Sequence, residues 1–138
     1  MKRFRFLDHG GDVGVEVLGA SLSELFQNAA EAFFRIITDP KTVRRKQSRR
    51  LTLKGETPEQ LLVAWLNELL YLFETERLLL SRFRIDRIDE GSLEAHAEGE
   101  TYDERRHPIK TLVKAVTFHQ LQLHEEEGLW KARIIFDL

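Results

Sequence analysis

The sequence predicts an α+β fold: a single compact domain in which a mixed, mostly antiparallel β-sheet, or more than one, carries two main α-helices. Two long segments have apolar residues at helical spacing, and the segments around them alternate apolar and polar residues as strands do. Their order, β-β-α-β-α-β-β-β-β, is typical of α+β domains. No Gly/Ser-rich linker divides the 138 residues, so we expect one domain over residues 1–138.

Composition narrows the class of protein. A hydrophobic content of 42% with 32% charged residues is typical of a soluble globular chain. The net charge of −2 gives no whole-molecule attraction to nucleic acid or to anionic membranes, so such a contact requires a local patch. Cysteine is absent, which excludes disulfides and thiolate metal sites and suits a reducing compartment. The longest apolar run, residues 61–66, is too short to span a bilayer. We expect a cytoplasmic protein with no membrane partner.

A polar turn lies between the first two predicted strands. Asp8, His9 and Asp12 surround the pair Gly10-Gly11, and apolar and polar residues alternate over the strand that follows. Glycine allows a sharp turn that presents polar atoms. The pattern fits a tight turn whose aspartates cap backbone amides, and it also fits a functional site.

Capping signals define both helices. Ser21 and Glu24 form a capping box before the first helix, which should end near Thr38 because Pro40 follows closely. Thr57-Pro58 begins the second helix. That helix is apolar on most sides, so we expect it to be the central core element. Its predicted polar strip is narrow and consists of Gln60, Asn67, Glu68 and Thr75.

The remaining strands are less regular. Residues 51–54 form a short strand, residues 83–88 and 93–97 predict a hairpin that turns at 89–92, and residues 99–109 predict an irregular loop. Residues 113–124 are strand-like, but their apolar positions change face midway. Either both faces are buried or a bulge near His119-Gln120 resets the register. Residues 129–136 form the closing strand.

The stretch 41–50 holds six cations and no acid. We interpret it as a solvated loop leading into a strand, or alternatively as a contact patch for RNA or protein. No aromatic residue is interleaved with these cations, which weakens the nucleic-acid interpretation.

Two anionic groups follow the closing strand, the side chain of Asp137 and the terminal carboxylate expected at Leu138. If the fold brings Asp12 beside them, three carboxylates require protonation or a cation. Oxygen ligands favour a hard ion, calcium or magnesium. No hydrolase, phosphate-loop or EF-hand signature is present in the sequence.

Residues 8–17 and 21–33, then 62–73, 113–119 and 130–138, resemble the archease family in order and nearly end to end. The resemblance implies a small non-catalytic activator of the RtcB-type tRNA-splicing RNA ligase. Such a protein promotes guanylylation of the ligase histidine, restores multiple turnover and can broaden the nucleotide that the ligase accepts. The ligase is then the protein partner, and RNA is reached through it.

The same resemblance assigns roles residue by residue. Asp12, Asp137 and Leu138 resemble the ligands of a divalent cation, calcium first, with magnesium or manganese as alternatives. For Lys114 the resemblance implies a contact to the ligase or to its nucleotide phosphates. For Asp8 and His9 it implies a supporting role. The family usually has His-Thr-Ala-Asp where this chain has His9 to Asp12, and a tyrosine where it has Phe118.

Two other functions stay open. A carboxylate-bound cation can activate water, so a stand-alone metal-dependent hydrolase is one alternative. An RNA-binding or chaperone-like module acting through residues 41–50 is the other.

Overall fold

The computed structural model describes residues 3–138, apart from the side chains of Asp8 and His9. Its eight strands and two helices follow one another as β1 Phe4–His9, β2 Asp12–Gly19, α1 Leu22–Ile37, β3 Gln47–Lys54, α2 Pro58–Glu76, β4 Leu78–Ile88, β5 Ser92–Thr101, β6 Ala115–Val116, β7 Gln122–Glu126 and β8 Leu129–Asp137. Met1 and Lys2, which the sequence places at the start of the first strand, lie outside the described residues.

The strands form two sheets. One has the order β1-β2-β8-β6, with β7 also paired to β8, and the other has the order β3-β5-β4. Every strand pair over residues 3–138 is antiparallel. Helix α1 packs against β2 in one sheet and against β4 in the other, so it joins the two sheets. The predicted α+β class with two main helices is confirmed.

Helix α1 begins and ends where its capping signals predict. The Ser21 hydroxyl accepts a hydrogen bond from the Glu24 N–H at 3.1 Å, which satisfies one free amide of the first turn. The last helical residue is Ile37, and Thr38 is already extended. The large residues of its inner face are fully buried, among them Phe26, Phe33 and Phe34.

Helix α2 is the central core element, as predicted. It starts at Pro58 behind Thr57, whose hydroxyl accepts from the Gln60 N–H at 3.1 Å. Trp65 is completely buried, and its indole N–H donates to the Phe26 carbonyl at 3.0 Å, which connects the two helices. The polar strip is wider than the sequence indicates, because Tyr71 is 59% exposed.

The predicted β4–β5 hairpin is confirmed and has longer arms. Leu93, Ala95 and Ala97 are fully buried, as the alternation predicts. Strand β5 runs on to Thr101, so the irregular segment begins at Tyr102 rather than at residue 99. The basic stretch 41–50 likewise enters strand β3 at Gln47, after exposed cations at 44–46. The interpretation of this stretch as a solvated loop leading into a strand is therefore correct.

The prediction of a continuous strand over residues 113–124 is wrong. Val116 pairs with Phe136 and Gln122 with Arg133, so five residues lie opposite two residues of β8. Three extra residues are an odd number, and the insertion therefore exchanges the two faces of the strand. Gln120 takes a positive φ of 54° within it. The bulge predicted near His119-Gln120 accounts for the change of face.

No helix between residues 3 and 138 is long and apolar enough to cross a membrane.

Candidate functional site

Asp12 and Asp137 lie at the same edge of the five-stranded sheet. Asp12 is the first residue of β2 and Asp137 is the last residue of β8, and the two strands run antiparallel side by side. Their register pairs Val13 with Phe136. Continued by one residue, it sets Asp12 opposite Asp137. Directly opposed residues of a strand pair share a face, with Cβ atoms about 5 Å apart. The fold therefore brings together the two ends of the chain that carry the predicted carboxylates.

These carboxylates belong to the outer face of the sheet. Val15 and Val17 are fully buried towards the core, so the alternation of β2 puts Asp12 on the opposite side. Asp12 is half-buried and Asp137 is exposed. Both acids are accessible to an ion or a partner.

The end of β8 is held from its other side as well. The Lys114 N–H donates to the Asp137 carbonyl at 2.8 Å, and Ala115 pairs with Asp137. Leu138 is half-buried and packs against the core. The closing strand is thus tied into the sheet through its last residues. Lys114 itself is exposed at this same edge.

The turn before Asp12 has two residues, Gly10 and Gly11, because His9 pairs with Asp12. Gly10 has a φ of +64°, which favours glycine, and Gly11 is not in the left-handed region. A positive φ at the first central position alone is the type II′ pattern that suits hairpins. A Cβ at either glycine would meet no atom within 4 Å, so the turn is open. The backbones of Asp8 and His9 belong to β1, but their predicted supporting roles concern side chains outside the described residues.

The donor groups at this edge fit a hard cation. Two side-chain carboxylates on adjacent strands and a carboxylate at Leu138 would supply oxygen ligands alone, which calcium and magnesium prefer. Over residues 3–138, without the side chains of Asp8 and His9, no three His, Cys, Asp or Glu side chains form a group that could hold a metal.

A buried cluster fixes the loop that leads to this edge. Glu100 is 5% exposed and His107 is 2% exposed, and their side chains meet at 3.0 Å between Oε2 and Nε2. The same Glu100 oxygen accepts from the Arg44 N–H at 2.7 Å and from the Arg106 guanidinium. His107 Nδ1 accepts from the Asp103 N–H at 2.9 Å, which assigns the ring proton to Nε2.

The surroundings of Glu100 favour its charged form. Burial alone would raise the pKa of this carboxyl, but the hydrogen bonds from Arg44, His107 and Arg106 outweigh burial and hold the pKa at about 2. Glu100 is therefore a permanent anion at neutral pH, and it anchors the loop to Arg44 in the segment before β3.

Further along, the loop is attached to the end of α1. The Thr38 hydroxyl donates to the Pro108 carbonyl at 2.6 Å, and the Lys110 N–H donates to the Ile37 carbonyl at 2.8 Å. These contacts position the loop so that Lys110 and Lys114 lie at the edge where Asp12 and Asp137 lie. The sequence does not predict the Glu100 cluster, because its members are spread over an irregular segment with no periodicity.

The geometry defines a small α+β protein with an acidic, oxygen-rich edge at the junction of strands β2 and β8. The Archease protein family matches residues 4–138 of this chain. An archease of Methanosarcina barkeri is 40% identical, with 99% of this chain and 97% of the relative covered. An archease of Methanothermobacter thermautotrophicus is 43% identical over the full length of both chains. This chain belongs to the archease family.

A solved structure agrees with this assignment. The solution structure of protein 1598 of Methanobacterium thermoautotrophicum is 41% identical and covers 100% of both chains, with a TM-score of 0.85. The fold that the resemblance implies is confirmed.

Proposed function

We propose that this protein is a non-catalytic activator of an RtcB-type tRNA-splicing RNA ligase. It promotes guanylylation of the ligase and allows the ligase to complete multiple turnovers. Membership of the archease family supports the proposal. The observation that carries it for this chain is the β2–β8 register, which sets Asp12 opposite Asp137 beside an exposed lysine. The working edge is then formed by Asp12, Asp137, Leu138 and Lys114.

In this proposal Asp12, Asp137 and the carboxylate of Leu138 hold a divalent cation, calcium first, with magnesium or manganese as alternatives. When bound, the ion supplies positive charge that phosphate oxygens can approach. The rigid end of β8 keeps the acids in place, because Leu138 packs on the core and the Asp137 carbonyl accepts from Lys114.

The ligase is the protein partner, and RNA is met through it. Lys114 is exposed at the edge where the acids lie, so its ammonium can pair with a carboxylate of the ligase or with nucleotide phosphates. The acids of this edge cannot attract phosphates directly. The proposal therefore assigns recognition of the ligase to the whole edge, and contact with the nucleotide to Lys114 together with the cation.

The first prediction concerns these acids. In ligation assays with RNA in large excess over a cognate ligase, Asp12→Asn and Asp137→Asn should each abolish the added turnovers. Divalent-ion affinity measured by calorimetry should fall together with activation. The fold should remain, because one carboxylate is half-buried, the other is exposed and asparagine keeps the shape. Glu125→Gln, at an exposed acid on β7 of the same sheet, is the matched control and should activate fully.

The role of Leu138 is tested by adding one glycine after it, which moves the carboxylate by one residue and leaves every side chain unchanged. We expect weaker ion binding and weaker activation. If both aspartate variants activate as well as the parent protein, the acidic edge is structural and the proposal fails.

A further inference from the structure

Strand β1 forms an edge of the five-stranded sheet and carries an unusual local sequence. Arg3, Phe4, Arg5 and Phe6 alternate cation and ring directly along this edge. Charged residues on an edge strand oppose pairing with other strands, and this protection accounts for the arginines. It does not account for Phe6, whose side chain is 42% exposed.

Two adjoining depressions follow this strand. One, of about 460 Å³, is lined by Arg3 to Phe6 together with Arg35 from α1. The other, of about 390 Å³, shares Phe6 and Arg35 with the first and continues past Lys110 to Asp12. We call them together the β1 groove, defined by Arg3, Phe4, Arg5, Phe6, Arg35 and Lys110.

The groove is rich in positive charge. Four cations line it, and Asp12 at its far end is the one carboxylate among its described lining residues. Arg35 and Lys110 form no ion pair with a described carboxylate. The two others pair with half-buried carboxylates, Arg3 with Glu31 and Arg5 with Glu16. The arginine side chains of these pairs are 53% and 60% exposed, and ion pairs at the protein surface contribute little, so either arginine can turn towards another anion.

The rings of the groove are arranged for stacking. Phe4 and Phe6 meet edge to face with centroids 5.7 Å apart. The guanidinium groups of Arg3 and Arg35 lie 5.8 Å and 5.3 Å from the centre of the Phe4 ring. Phe4 is thereby occupied, while much of Phe6 faces solvent. Cations along a groove with an exposed ring are the features that bind single-stranded nucleic acid without strong sequence preference.

We propose that the β1 groove binds single-stranded RNA, with phosphates on its arginines and Lys110 and a base stacked on Phe6. An acidic protein segment would use the same cations but would leave the Phe6 ring without a role. This inference goes beyond the proposed function, in which RNA is reached through the ligase. It also differs from RNA binding through residues 41–50, where no aromatic residue lies among the cations.

The test measures the protein alone, without ligase, by fluorescence anisotropy of a labelled single-stranded RNA of about ten nucleotides. Because the net charge is −2, binding should depend on local contacts and weaken steeply with salt. Phe6→Leu should weaken binding about five-fold or more and leave the salt dependence unchanged, since it removes stacking but no charge. Phe6→Tyr keeps a ring and should bind as the parent does.

Arg35→Gln should weaken binding and lower the slope of log affinity against log salt by about 0.7, the value for one phosphate contact on a single strand. Arg45→Gln is the matched control, because Arg45 is also exposed and lies outside the groove. It should leave both affinity and slope nearly unchanged. Circular dichroism of each variant shows that the fold is retained.

Three results would overturn the inference. These are no binding at low salt, equal losses for Arg35→Gln and Arg45→Gln, or full binding by Phe6→Leu with competition by oligoglutamate. The last result would assign the groove to an acidic protein segment. Since no ligase is present, each of these outcomes leaves the activation of the ligase to be decided by its own assay.

Discussion

Among single residues, Glu100 shows how an irregular loop is fixed without secondary structure. Its buried carboxylate collects hydrogen bonds from a strand entry, from His107 and from Arg106. Leaving such donors unpaired in the interior would be costly, so the loop has little freedom to move away. The loop then reaches Lys114, whose N–H binds the carbonyl of Asp137.

The pKa of Glu100 gives a prediction about acid stability. In the folded protein it is about 2, below the ordinary value of 4.5, so the unfolded chain binds more protons between these two pH values. The stability that Glu100 contributes is therefore complete above pH 4.5 and is lost as the pH falls towards 2. Glu100→Gln should lower the free energy of unfolding by about 2 kcal/mol at neutral pH, and it should flatten the pH dependence in that window.

Urea unfolding at a series of pH values measures both effects. Glu104→Gln is the control, because Glu104 belongs to the same loop but is exposed. An unchanged pH slope in Glu100→Gln would mean that the cluster does not hold the carboxylate charged.

Local sequence pattern predicts some of the features of single residues. The exposure of Asp137 and the burial of Trp65 follow from local pattern. The partners of Glu100 do not, because Arg44 is 56 residues away in sequence and meets it only after the sheets have formed.

Among the elements, the pairing of β4 with β5 depends on one position where the two backbones come very close together. Strand β4 shifts register between Leu80 and Arg82, opposite Gly99 of β5. A Cβ built on Gly99 would lie 1.8 Å from the Leu79 carbonyl oxygen and 2.7 Å from the Leu80 Cα. Both are backbone atoms, so the neighbour cannot yield by turning a side chain.

Gly99→Ala should therefore destabilise the protein by about 3 kcal/mol or more, measured by urea unfolding. Gly91→Ala in the turn of the same hairpin is the matched control. There a Cβ would come no closer than 3.6 Å to another atom, and we expect a change within about 0.5 kcal/mol. Equal stabilities of the two variants would show that the strands do not approach as described.

The elements also mark where sequence patterns stop being sufficient. Caps at Ser21 and Thr57 act within one turn, so they predict both helix starts. The interruption between β6 and β7 depends on pairing with β8, which is distant in sequence. The apolar pattern shows that the register changes there, but it does not give the number of inserted residues.

For the whole molecule, family membership and the α+β fold follow from the sequence, because the blocks that resemble archease run through nearly the whole chain. The meeting of Asp12 with Asp137 does not follow from local pattern, since it requires that β2 and β8 become neighbours. The β1 groove likewise requires that helix α1 bring Arg35 beside Phe4. Long-range packing thus decides both surfaces.

The most direct test of the account is the number of RNA ligations completed per molecule of a cognate RtcB-type ligase, with RNA in large excess. We predict that the ligase alone stops near one turnover, and that adding this protein restores continued turnover together with guanylylation of the ligase. An unchanged number of turnovers in the presence of the protein would contradict the account.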